Sequence, residues 1–374
     1  MTDTSNRKTR VALLFGGRSS EHAVSCVTAA GVMGAIDPEK YEVVPIGITR
    51  DGQWVLSQGD WHQWALNTGH QPRVEPSEAT VRLAESDGAA RLVVTEPNQV
   101  PRELGDVDVV FPLLHGAFGE DGTVQGLLEL ADVRYVGAGV LASAVGMDKH
   151  FMKVAFEAAG LAVGPYVTVT DKEWRRDPQA VRDAVGRLGY PVFVKPCRAG
   201  SSVGITRVDG PEGLDAAVAE ARRHDLRLVI EAAIVGREIE CGVLEGRGCD
   251  APRTSLPGEI VVQGGTHTFY DFEAKYVEND AASLSCPADL PQEAIDRVRA
   301  LAATAFDAVS AEGLSRVDFF YTPEGEFVIN EINTMPGFTP ISMYPAMWAA
   351  TGIGYRELID ELIQLALARP TGLR

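Results

Sequence analysis

The stretch from Arg316 to Tyr344, RVDFFYTPEGEFVINEINTMPGFTPISMY, limits the possible folds of this chain more than any other. Its apolar runs VDFFY and EFVINEI flank the turn signal Thr322-Pro323-Glu324-Gly325, the pattern of a β-hairpin. Side chains alternate faces along a strand, so Arg316 and Asp318 share one face. The same period puts Glu331 and Asn333 with Phe327 and Ile329 on the second strand. Such a face is apolar at one end and acidic at the other, as in a strand that leaves a core and opens onto a cleft. Asp318, Glu331 and Asn333 then form an oxygen-only donor set of the kind Mg²⁺ prefers when phosphates supply the other ligands. A solvated hairpin end would explain one acid alone. Acids set within apolar strands and followed by Asn333-Thr334-Met335-Pro336-Gly337 favour the metal site.

At 374 residues the chain is too long for one core, which predicts two or three domains. A net charge of −18 with no basic block excludes a nucleic-acid partner, and any anionic ligand must be held by local cations. No apolar run approaches the length of a membrane span. The polar start MTDTSNRKTR has no apolar segment of a signal peptide, so a cytoplasmic protein is expected. The five cysteines, Cys26, Cys197, Cys241, Cys249 and Cys286, are scattered and include no CxxC pair, which points away from disulfides and zinc.

Along the chain, RVALLFGG (10–17) reads as a buried strand, followed by a glycine turn and the helix AVSCVTAAGVMGAI. Neither GxxxxGK[ST] nor GxGxxG is present. Glu21 could meet an ammonium group or could complement the helix dipole. YEVVPIGI (41–48) is a second strand, and 51–106 reads as an elaboration of loops and short strands. The strand VDVVFPLLHG ends at His115, which is either a ligand group or a structural histidine, and Thr123 is expected to cap the next helix. RYVGAG (134–139) is expected to be a short strand closing the first domain. SAVGMDKHFMKVAFEAAG reads as one helix carrying Lys149. YPVFVKP is a strand that sets Lys195 beside the small-residue loop CRAGSSVG (197–204), which could close over phosphates or simply turn a hairpin. Glu231 and Glu238 are acids within apolar strands. Residues 263–287 are polar, aromatic and aperiodic, the mark of a lid. PQEAIDRVRALAATAFDAVSAEG is a long helix with Pro291 at its start, and GYRELIDELIQLALAR is the last helix.

Taken in order, FGGRSSEHAVS, LLHGAFGEDGTVQG, MDK, VFVKPCRAGSSVGI, YDFEAKY, SRVDFF and INEINTMPGFTPISM resemble the ATP-grasp enzymes, and among them the D-alanine–D-alanine ligase family. The resemblance covers nearly the whole chain. It implies an α/β fold, α+β in the ATP-grasp part. Three domains are implied: an N-terminal parallel-sheet α/β domain over 1–137 and two ATP-clamping domains over 138–234 and 235–374, with a lid at 263–285. It implies that ATP phosphorylates one D-alanine, whose acylphosphate is attacked by the amine of a second to make a peptidoglycan precursor. The work is positioning and charge stabilisation, with no nucleophilic side chain.

By the same resemblance, Asp318, Glu331 and Asn333 would bind two Mg²⁺ ions, with Mn²⁺ able to substitute. Lys149, Lys195, Ser202 and Lys275 would contact phosphates, while Glu231, Ala232, Ile234 and Glu238 would surround adenine and ribose. Glu21 and His115 would hold the first amino acid, and Ser342 and Met343 the carboxylate of the second. Arg316 and the Gly337 backbone would form the oxyanion site, and Glu21, Ser201 and Tyr276 a trio tying the lid to the first domain. Tyr276 implies an amine nucleophile, because relatives that make the D-lactate ester typically depart from tyrosine there. Ala199 departs from the KPxxEGSS pattern. A homodimer is implied. The competing readings are a D-alanine–D-lactate ligase, another carboxylate-amine ligase, or a nucleotide-binding regulatory protein without turnover.

Overall fold

The computed structural model describes residues 7–57, 61–64, 72–86, 89–262 and 282–371. Three sheets follow one another along the chain. The first contains β1 (Thr9–Gly16), β2 (Tyr41–Ile48), β3 (Trp54–Leu56), β4 (Thr80–Ser86), β5 (Ala89–Thr95), β6 (Arg102–Asp106) and β7 (Val109–Pro112), in the order β6-β5-β4-β3-β2-β1-β7. β1 pairs in parallel with β2 and β7. Covered on both faces, it is a continuous apolar run, with Val11 to Phe15 all buried. Residues 51–106 supply the expected short strands: β3 to β6 add to this sheet in antiparallel fashion. The predicted strand at 134–139 reduces to one bridge between Val110 and Tyr135. Thr123 is the first residue of helix Thr123–Leu130 rather than its cap; its N–H donates to Asp121 at 3.0 Å.

The predicted helix across 143–160 is two helices, Val140–Met147 and Lys149–Ala158. Asp148 between them is extended, and its carboxylate accepts from the N–H groups of His150 at 3.1 Å and Phe151 at 3.2 Å. Those donors have no partner within the helix, so the aspartate starts a new one. The second sheet is antiparallel: β8 (Tyr166–Thr170), β9 (Val192–Pro196), β10 (Thr206–Val208) and β11 (Arg227–Ala232), in the order β10-β9-β11-β8. Alternation in β9 sends Val192 and Val194 into a core beneath helices Pro178–Gly186 and Leu214–Ala221. It thereby sends Phe193 and Lys195 to the other face.

The third sheet has β12 (Arg237–Leu244), β13 (Arg253–Thr254), β14 (Gly258–Val262), β15 (Ala282–Ser285), β16 (Leu314–Tyr321) and β17 (Phe327–Asn333), in the order β15-β14-β12-β16-β17 with β13 on β12. Helix Gln292–Ala308 packs on it through Val298, Ala302, Ala305 and Phe306. Of the predicted lid, 282–285 is strand β15, paired with β14. Residues 263–281, with Lys275 and Tyr276, lie outside the described residues.

The hairpin forms as predicted, but its faces differ from simple alternation. The β16–β17 register pairs Phe319 with Ile329 and then Asp318 with Glu331, leaving Asn330 as an extra residue. This β-bulge reverses the face of everything beyond it. Phe327, Ile329 and Ile332 are buried in the core, while Glu331 and Asn333 pair with Asp318 and Arg316 on the opposite face. The acids therefore do not share a face with Phe327 and Ile329.

Candidate active site

A cavity of about 1060 Å³ lies where the three sheets meet. Every predicted site residue within the described part of the chain lines it: Glu21, His115, Lys149, Lys195, Ser201, Ser202, Glu231, Ala232, Ile234, Glu238, Arg316, Asp318, Glu331, Asn333, Gly337, Ser342 and Met343.

At one end, β1 delivers Glu21 just before helix His22–Ala35. The carboxylate makes no capping bond there, and instead accepts a short hydrogen bond from the Ser201 hydroxyl of the β9–β10 loop. Glycines border it on both sides, and only Gly116 has the left-handed backbone that favours glycine. A Cβ at Gly116 (φ +73°) would lie 2.6 Å from Glu21 Oε2, and one at Gly200 would lie 2.9 Å away. His115 is buried with both ring nitrogens engaged: Nδ1 is 3.1 Å from the Met335 carbonyl and Nε2 is 3.3 Å from Thr28 Oγ1. A carbonyl only accepts, so the proton sits on Nδ1 and Nε2 accepts from the hydroxyl. Burial lowers the pKa of the imidazole, favouring the neutral form, so His115 is both structurally held and part of the cleft wall.

Glu120 completes this corner and was missed in the sequence. Its oxygens accept from Gly116 N at 2.5 Å and Met335 N at 3.2 Å. Burial, with Glu21 close by, pushes its carboxyl up to about 8, so it carries a proton at neutral pH. An acid in the glycine loop GEDG looks like any solvated turn residue until the fold turns it toward Glu21.

Along the cleft, Glu231 lies between Lys153 at 2.9 Å and Lys195 at 2.5 Å. Burial opposes its charge, but the two ammonium groups outweigh that and hold it down to about 2. Lys153 was also missed, because a lysine one turn beyond Lys149 reads as solvated. Lys149 Nζ donates to the Ala199 carbonyl at 2.8 Å and so reaches the small-residue loop. In that loop Ser201 and Ser202 have left-handed φ of 46° and 58°. The loop turns the β9–β10 hairpin and also lines the cleft.

The floor is the outer face of β12, β16 and β17. Arg316 makes a bidentate pair with Asp318, Nε to Oδ1 and Nη2 to Oδ2, both 2.7 Å. Asn333 Nδ2 donates to Asp318 Oδ2 at 3.0 Å, and Glu331 faces Asp318 across the ladder. Glu240, also missed, lies 3.2 Å from Arg316 Nε. It is two residues after Glu238 on β12, so the strand period could have found it. Burial works against the charge of Arg316, but Asp318 and Glu240 raise its pKa well above the ordinary value. Among the described residues no group of three His, Cys, Asp or Glu side chains could hold a metal ion. The set here is two carboxylates and an amide oxygen, chemistry that suits a hard cation also bound by phosphate oxygens. At the far end, Ser342 Oγ accepts from Thr339 N at 3.1 Å beside the N-terminus of helix Met343–Thr351.

The D-ala D-ala ligase N-terminus family matches residues 10–138, and the D-ala D-ala ligase C-terminus family matches 155–364. The chain belongs to the D-alanine–D-alanine ligase family. Within the family it is 76% identical over 367 residues to a D-alanine--D-alanine ligase of Pseudarthrobacter chlorophenolicus, covering 98% of this chain and 96% of that one. It is 74% identical over 373 residues to one of Arthrobacter sp. FB24, covering 100% and 98%. Its fold, the ATP-grasp architecture, matches the VanG D-Ala:D-Ser ligase of Enterococcus faecalis with TM-score 0.82 and 36% identity, over 96% of this chain and 100% of that one. The D-alanine-D-alanine ligase of Coxiella burnetii matches with TM-score 0.79 and 34% identity, over 96% and 94%. Among the described residues no helix is long and apolar enough to cross a membrane.

Proposed function

We propose that this chain joins two D-alanines into D-alanyl-D-alanine, a peptidoglycan precursor, with ATP converted to ADP and phosphate. The observation that carries the reading is convergence on one cleft: the Glu21–Ser201 pair, the lysines on Glu231, and the Arg316, Asp318, Glu331 and Asn333 floor. A carboxylate is a poor electrophile. Transfer of the γ-phosphoryl group to one oxygen of the first D-alanine makes an acylphosphate and ADP. The amine of the second attacks the acyl carbon, the C–N bond forms, and the C–O bond to phosphate breaks.

Each group has a task in this scheme. Glu21 takes the first ammonium and His115 lies by that amino acid's carboxylate. Lys149, Lys195 and Ser202 take phosphates, and Ala232, Ile234 and Glu238 line the nucleoside end. Glu231 borders that end too and pairs with Lys153 and Lys195. Arg316 and the Gly337 N–H face the oxyanion of the tetrahedral intermediate, and Ser342 and Met343 bound the second amino acid. Asp318, Glu331 and Asn333 would hold Mg²⁺, or Mn²⁺ in its place, which neutralises phosphate charge when bound. The division at 137/138 and 234/235 belongs to the same proposal, supported by strands of the three sheets that end at Pro112 and Ala232 and resume at Tyr166 and Arg237. A cytoplasmic homodimer rests on the family alone.

The likeness to a D-Ala:D-Ser ligase makes the second substrate the point to test. In a coupled assay, phosphate release is expected only with ATP, Mg²⁺ and D-alanine together, with dipeptide as product. Release that ignores D-alanine, or that rises only with added D-serine or D-lactate, overturns the reading.

A further inference from the structure

Glu240 has no part in the roles above, yet it is buried on the cleft floor. The β12–β16 register sets it directly opposite Asp318, and Arg316 lies on the same face two residues before Asp318. Arg316 Nε donates to Asp318 Oδ1 at 2.7 Å and is also 3.2 Å from Glu240 Oε1. One N–H therefore stands between two carboxylates, and a small displacement passes it from one to the other.

Both oxygens of Asp318 are already engaged. Oδ1 takes Arg316 Nε, while Oδ2 takes Arg316 Nη2 and Asn333 Nδ2. A cation at Asp318 has to compete with the arginine. A buried guanidinium stripped of its carboxylate is costly, and the Arg316 side chain is only 14% exposed. Without a second partner it would hold Asp318 back. We propose that Glu240 is a positioning residue that takes over Arg316 when Asp318 turns to a divalent cation, keeping the guanidinium on the cleft floor. This rests on the proposed metal role of Asp318.

The test is Mn²⁺ binding to the full chain with ADP present and no turnover, followed by the electron paramagnetic resonance of free Mn²⁺. Glu240→Gln is expected to weaken Mn²⁺ binding about tenfold, the scale typical of groups that orient metal ligands. In an Arg316→Met background the same substitution is expected to change affinity by less than about twofold, because the competitor is gone. Glu240→Asp keeps the charge and shortens the reach, and is expected to reproduce most of the loss. Equal loss in both backgrounds makes Glu240 a plain charge and overturns the proposal. So does wild-type affinity in Glu240→Gln or Glu240→Asp. Asp318→Asn separates the two levels: unchanged Mn²⁺ binding there removes the metal role itself, and the Glu240 proposal with it.

Discussion

Glu231 shows how one buried carboxylate can hold two lysines at the wall of a cleft. Its carboxylate faces Lys153 and Lys195 from opposite oxygens, all three groups being buried or nearly so. Removing one partner from such a cluster costs more than the cluster contributes, because the remaining charges stay desolvated. Glu231→Gln is expected to destabilise the fold by about 3 kcal/mol at pH 7, read by urea unfolding. The sign with pH follows from the shift. The folded pKa of about 2 lies below the ordinary 4.5, so the contribution is complete above 4.5 and declines as pH falls toward 2. The difference between wild type and Glu231→Gln should be flat from pH 8 to 5 and narrow below 4.5. A difference that grows with acidification would mean that the carboxylate is not held ionised by its lysines. From sequence, Glu231 was legible as an acid in an apolar strand. Its partner Lys153 was not, since nothing in a helical pattern says which exposed-type lysine a neighbouring sheet will cover.

At the scale of elements, two of the departures from sequence expectation have local causes that the sequence hides. Residues 143–158 keep a helical apolar pattern throughout, which is why one helix was predicted, but Asp148 interrupts it. Its carboxylate caps the second helix and pairs with Arg227 on β11, fixing Lys149 at the cleft edge. Asp148→Ala is expected to lower stability by about 2 kcal/mol in thermal unfolding, from the lost cap and the unpaired arginine. Asp148→Asn retains the cap and should recover about half. Equal effects of Ala and Asn would assign the whole loss to the ion pair. The bulge at Asn330 is the second departure. Strict alternation gives the hairpin but puts Glu331 and Asn333 on the wrong face, because an inserted residue leaves the sequence pattern almost unchanged. The buried strands β1 and β9 were legible because apolar runs bounded by glycine or proline have few other readings, and β2 and β11 because their runs are rich in β-branched residues and too short for a helix. Of the antiparallel extension, the ARLVV run of β5 was legible as a strand, whereas the way β3 to β6 pair with one another and with β2 was not, because register across loops leaves no mark on each strand's own pattern.

The first sheet and the end of the chain share one core, so the molecule is more interlocked than its order of domains suggests. Val11, Leu13, Phe15 and Phe111 from β1 and β7 cluster with Phe338 from the loop after β17 and with Trp348, Leu358, Leu362 and Ile363 from the C-terminal helices. Beyond the last helix, the buried Arg369 donates to the Gly137 carbonyl at 2.8 Å and pairs with Glu245 at 2.9 Å, while Arg134 donates to the Arg369 carbonyl at 3.1 Å. Removing the C-terminal segment would uncover several large side chains, each contributing about 1.5–3 kcal/mol when buried. That sum is comparable with the whole stability of a typical domain, roughly 5–15 kcal/mol. A fragment of residues 1–137 is therefore expected to show no cooperative thermal transition and to bind a hydrophobic dye, although it contains all seven strands of its sheet. Joining that fragment through a flexible linker to residues 338–371 should restore a cooperative transition, since the missing face of the core returns with it. A cooperative melt by the 1–137 fragment alone would mean that β1 and helix His22–Ala35 suffice for its core. Restoration by the linked segment would mean that the cleft corner at Glu21 and the helix behind Ser342 are held by one core, which fixes the two ends of the cleft relative to each other.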